Sequence, residues 1–211
     1  MAAFVLLVAA GCGEATPTAT PTPPPLPGDT AVPTPSDFLD VAARAPWRPD
    51  PLRPPTGFAA QPDVLCRAAE PSIGEVTRVL IDARGEGRLI FVFADATAAF
   101  GCYAPIDANL AADVHAFPLD VPADPIGQGS LDIVLYEVAH GEDGAAFRVL
   151  VGRVGRDAVR VVASFDDDSE VEGTKGGGWY AMWWLGPTEM ATVAALDVRS
   201  TVISAVPAPA P

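Results

Sequence analysis

The sequence predicts a mainly β domain, an antiparallel two-sheet sandwich (Ig-like or related) with one or two short helices, carried behind a disordered Pro/Thr-rich stalk. Three observations lead there. Of the chain's 23 prolines, 14 fall at or before Pro62, which leaves the first quarter of the chain unable to build regular structure. From about Gly57 the character changes to short β-branched runs, punctuated by Gly, Asp and Pro every eight to twelve residues or so, the spacing of antiparallel strands. Within that part, Val159, Val161, Ala163 and Phe165 alternate with Arg160, Val162 and Ser164, a period of two.

Taken in order, residues 1–11 form an uncharged apolar run, too short to span a bilayer but the length of a signal-peptide core. Val8-Ala9-Ala10-Gly11-Cys12 has the small residues and the thiol of a bacterial lipobox, which makes Cys12 the expected lipidation site. The pattern lacks a basic residue before Cys12, and Ala9 stands where leucine is commonest. Residues 12–57 read as a linker in polyproline II conformation. About 40 such residues, at roughly 3.1 Å each, hold a domain up to about 120 Å from its anchor. Ser36 is placed to cap a short helical stretch over 36–44, and residues 58–211 are the expected globular domain.

Inside the domain, Asp63 and Pro71 bracket a short helix over 63–70. Strands are expected at 77–82, 88–94 and 98–104, with a turn at 83–87. The 88–94 run is apolar on both faces and reads as a central strand. Residues 105–129 read as loop, with a helix candidate at 108–115. Seven more strands follow, at 131–139, 146–154, 158–165, 170–174, 179–185, 191–197 and 201–206. In the fifth of these, Trp179, Ala181, Trp183 and Leu185 alternate with Tyr180, Met182 and Trp184, so the strand is either sandwiched or shows an aromatic face.

The chain carries 13 basic against 27 acidic residues, a net charge of −14, and Lys175 is its single lysine. Phosphate backbones and anionic bilayers are repelled by such a chain, and no basic stripe runs along the sequence to oppose that, so nucleic acid is not an expected partner. The expected partners are the membrane, through the lipid anchor, and a cell-wall or protein ligand. Three cysteines fit an oxidising compartment if Cys12 carries lipid and Cys66 pairs with Cys102.

Val151-Gly152-Arg153-Val154-Gly155, the segment Gly178-Trp179-Tyr180-Ala181-Met182-Trp183-Trp184-Leu185-Gly186 and Ala195-Leu196-Asp197 together carry a resemblance. They resemble an uncharacterised β-domain of exported proteins and lipoproteins in high-GC Gram-positive and related bacteria, with a Gly-Trp-aromatic-x-x-Trp-Trp-x-Gly motif. Asp82-Ala83-Arg84-Gly85, followed by Cys102, is similar to that family's earlier half. Arg199-Ser200 stands where the family has an Asp-Gly turn. The resemblance implies architecture and location, and no catalytic residue.

Motifs for phosphate loops, dinucleotides, zinc proteases or a nucleophile elbow are absent from the sequence. No cofactor is expected. His115 and His140 are the candidate bases of a rival reading, an envelope hydrolase whose site is assembled from distant residues; it requires a pocket that gathers one of them with a carboxylate. Asp166, Asp167, Asp168 and Glu170 read first as a hairpin turn and second as a weak Ca²⁺ site. Trp179 and Trp183 are expected in the core, with Tyr180 and Trp184 partly exposed on the opposite face as candidate ligand contacts for a sugar or peptide. The expected role is noncatalytic, binding or structural.

Overall fold

The structure, a computed structural model, describes residues 35–55, 61–106, 114–121, 124–140 and 146–209. The expected signal segment, Cys12 and most of the linker lie outside the described residues.

The short helical stretch expected over 36–44 is a helix, α1 (Pro35–Arg44), which starts one residue ahead of Ser36 and lies inside the segment read as linker. Phe38 and Ala42, one turn apart, are buried, and Pro46 stops the helix. The folded domain therefore starts by residue 35, well before residue 58. The second helix α2 (Gln61–Ala69) begins two residues ahead of its expected cap. Asp63 lies inside the first turn, and its carboxylate accepts from Arg67 at 2.9 Å and from Arg78 at 2.7 Å.

Among the described residues, twelve strands follow in three antiparallel sheets of four. The first sheet runs β1 (Arg78–Ala83), β2 (Arg88–Ala94), β3 (Ala99–Pro105), β4 (His115–Leu119) in spatial order. The β4 strand falls in the stretch read as loop, and His115 opens it; the helix candidate upstream lies largely outside the described residues. The second sheet comprises β5 (Leu131–His140), β6 (Ala146–Val154), β9 (Thr174–Gly176) and β10 (Trp179–Leu185), in the order β5-β6-β10-β9. The third comprises β7 (Arg160–Phe165), β8 (Glu170–Glu172), β11 (Met190–Leu196) and β12 (Val202–Pro207), in the order β12-β11-β7-β8.

The expected strand over 170–174 is split between two sheets at Gly173. A Cβ there would lie 2.8 Å from the Met182 methyl, so glycine lets the chain cross from the third sheet to the second against β10 without displacing that side chain. At the last hairpin, Asp197 accepts from the backbone N–H groups of Arg199 and Thr201. Ser200 supplies the positive φ of 60° that a glycine would otherwise take. Val159 lies just before β7 and is exposed, whereas Val161, Ala163 and Phe165 are buried on one face as their alternation predicts.

The layers are held by three apolar cores. Phe38, Cys66, Phe91 and Phe93 fill the space between the helices and the first sheet. Ile90, Val92, Phe147, Val149 and Trp183 fill the space between the first and second sheets. Leu150, Tyr180, Trp184, Val161 and Phe165 fill the space between the second and third. The second sheet is thus covered on both sides.

The Cys66–Cys102 bridge ties α2 to β3, with Cα atoms 6.0 Å apart and the two residues 36 positions apart in sequence. On the loop-entropy account such a link contributes about 3 to 4 kcal/mol. Residues 46–52 run as a strap across the layers: Trp47 packs into both inner cores, and its indole N–H donates to the Trp183 carbonyl at 3.3 Å. Where the strap crosses β1, Arg84 and Asp82 form a wholly buried ion pair. No described helix is long and apolar enough to cross a membrane.

Candidate functional site

The aromatic strand β10 presents no open face. Trp179 and Trp183 face the first sheet as expected, but Tyr180 is fully buried and Trp184 is only 2% exposed. The expected partial exposure of Tyr180 and Trp184 is corrected for one physical reason: a third sheet covers the face that a two-sheet arrangement would leave wet. Tyr180 Oη donates to the Asp132 carbonyl at 3.0 Å, and burial, with Asp132 beside it, pushes its phenol far above the usual range. Its ring lies over Gly152, where a Cβ would come within 2.5 Å of the ring carbons. Trp184 Nε1 donates to the Thr188 carbonyl at 2.9 Å, and its ring lies 5.2 Å from Phe165 and 6.0 Å from Tyr136.

An edge of Trp184 nevertheless reaches a cleft of about 250 Å³, which opens between the strap, the β7–β8 turn and the end of β10. Its walls include Trp47, Pro49, Phe165 and Glu170. The acidic run beside it is a hairpin turn: Asp168 N–H donates to the Phe165 carbonyl, and Asp167 accepts from the Ser169 N–H and hydroxyl, which holds the Asp167 carboxyl below its ordinary pKa. Among the described residues no three His, Cys, Asp or Glu side chains converge as a metal site would require.

The two histidines have different surroundings. His140 ends β5 and is exposed. His115 stacks on Tyr103 at 5.0 Å, and Tyr103 meets the Phe147 ring edge-on at 5.3 Å. The Arg88 guanidinium lies 4.9 Å from the centre of that Phe147 ring. Glu137, on β5, faces the same interlayer as Val149, its cross-strand partner. Burial pushes the Glu137 carboxyl above the usual carboxylate range, and His115 works against the shift. The Tyr103 phenol is raised by burial and then by Glu137, with Arg88 opposing.

Two polar atoms in this interlayer, Glu137 Oε1 and Trp183 Nε1, are buried without a hydrogen-bond partner. Both side chains belong to one cross-strand row, Glu137–Val149–Trp183. A desolvated carboxyl beside an imidazole can hold or pass a proton. Cys102, on the same sheet as His115, is held in the disulfide and does not serve as a thiol nucleophile. Sequence reading singled out His115 but missed Glu137, Tyr103 and Arg88. One signal was available: Glu137 interrupts the apolar alternation of Leu135 and Ala139, an inward position where a charge needs a reason.

No family model matches the chain, and no curated protein or solved structure matches it either.

Proposed function

We propose that this chain is an exported cell-envelope lipoprotein, anchored through Cys12, whose β-domain acts by binding or by structural support and not by catalysis. The observation that carries the reading is the division of the cysteines: with Cys66 bonded to Cys102, one thiol remains, and it directly follows an apolar run and precedes a Pro/Thr-rich spacer. A disulfide of this kind persists in oxidising compartments, which fits export. Metabolic labelling with a fatty-acid analogue is expected to mark the wild type and spare Cys12→Ser. Equal labelling of both refutes the anchor.

The rival reading, an envelope hydrolase, draws on the buried Glu137 carboxyl, which feels the charge of His115. The binding reading expects p-nitrophenyl esters and glycosides to turn over no faster with wild type than with Glu137→Gln. A rate that falls on that substitution favours the hydrolase.

A further inference from the structure

Three clefts meet at Lys175. The largest, about 460 Å³, is lined by Arg53, Pro54, Arg78, Thr174 and Lys175 and follows the edge strand β1. A second, of about 250 Å³, shares Arg53 and Lys175 and adds Glu172. A third, of about 270 Å³, runs from Lys175 past Gly176 to Arg156. Among the described residues, their walls carry the cations Arg53, Arg78, Arg156 and Lys175 against one carboxylate, Glu172. In a chain with 13 basic and 27 acidic residues, that inverts the overall balance.

Among the described residues, two of these four cations, Arg53 and Lys175, have no carboxylate partner. Glu172 is already engaged by Arg160 at 2.7 Å. Arg78 is paired with Asp63, which Arg67 shares. Arg156 has only an exposed contact with Asp157 at 3.9 Å, and Arg53 makes no ion pair with a described residue. Lys175 Nζ donates to the Ala158 carbonyl, a neutral acceptor, and burial lowers its pKa. A bound anion would supply the missing counter-charge.

We propose that this groove binds a compact oxyanion, a small molecule or chain end that bears carboxylate or phosphate groups. Arginine forks and an ammonium group suit both kinds of oxygen. The ligand is compact for two reasons. The largest cleft falls in the size range of small-molecule sites, and a long polyanion would run out over a surface whose net charge repels it. A lysine on an edge strand such as β9 also discourages strand pairing between molecules, but that role does not account for Arg53, which has no ion pair with a described residue. The inference deepens the binding role proposed above and is independent of lipidation.

Because Lys175 is the single lysine, its acylation rate in the full-length chain is read at one peptide by mass spectrometry. Pyrophosphate or citrate is expected to slow acylation saturably, beyond sodium chloride of matched ionic strength, and the stronger of the two distinguishes phosphate from carboxylate recognition. Arg53→Ala is expected to raise the half-protecting concentration about tenfold, the effect of one lost charge-assisted contact, with an unchanged melting temperature. Slowing no greater than that by chloride, or protection unaltered in Arg53→Ala, overturns the proposal. Neither result touches the Cys12 labelling, so the two readings fail separately.

Discussion

Trp183→Ala is expected to lower the stability of the domain by about 3 to 5 kcal/mol, enough to unfold much of a marginally stable protein at growth temperature. Trp183 has no solvent exposure, packs edge-on against Phe147 at 5.9 Å, and lies in the core between the first two sheets. Layers clamped on both faces cannot collapse into the space that an indole leaves. Leu185, two residues along the same strand, is 40% exposed, and Leu185→Ala is expected to change stability by about 1 kcal/mol at most. Urea denaturation of both variants makes the comparison. Similar losses at the two positions would show that the second sheet is not the filled middle layer described here.

The second large effect belongs to Arg84. Its Nε and Nη2 reach the two Asp82 oxygens at 2.7 and 2.8 Å, with both side chains fully buried. Further N–H groups donate to the carbonyls of Pro49 in the strap and Glu172 in β8, while Thr174 Oγ1 on β9 donates to Asp82 Oδ2 at 2.8 Å. One guanidinium–carboxylate pair therefore joins all three sheets and the strap.

Arg84→Ala strands a buried carboxylate and is expected to cost about 3 to 5 kcal/mol. The double variant Asp82→Leu/Arg84→Met removes both charges and is expected to lose less than the two single substitutions combined. Equilibrium unfolding of the four proteins measures the coupling; additive losses would mean that the two side chains act independently. The Asp82-Ala83-Arg84-Gly85 segment, which stood out in the sequence only by resemblance, thus has a structural role.

Much of this was legible residue by residue. The 88–94 run reads as a central strand, and its residues are buried on both faces. The β10 segment reads as a strand that is either sandwiched or openly aromatic, and burial of all three of its tryptophans selects the first. The Cys66–Cys102 pairing followed from an odd count of cysteines and an expectation of export. The linker boundary was misplaced because Phe38, Ala42, Trp47 and Leu52 are sparse apolar residues among prolines. Nothing local says that a sheet waits to receive them.

The sequence by itself determined most of the strand positions, the antiparallel character and the Cys66–Cys102 pairing. These depend on backbone geometry and side-chain alternation among neighbouring residues, which composition and spacing encode directly. Only the tertiary structure decided that the strands divide into three sheets, that Tyr180 and Trp184 are covered, and that the Glu137 carboxyl is buried within electrostatic reach of His115. Only it gathered Arg53, Arg78, Arg156 and Lys175 at one set of clefts in an acidic chain. Those outcomes depend on which face meets which, through contacts between residues as far apart as Trp47 and Trp183, and no local periodicity carries that information.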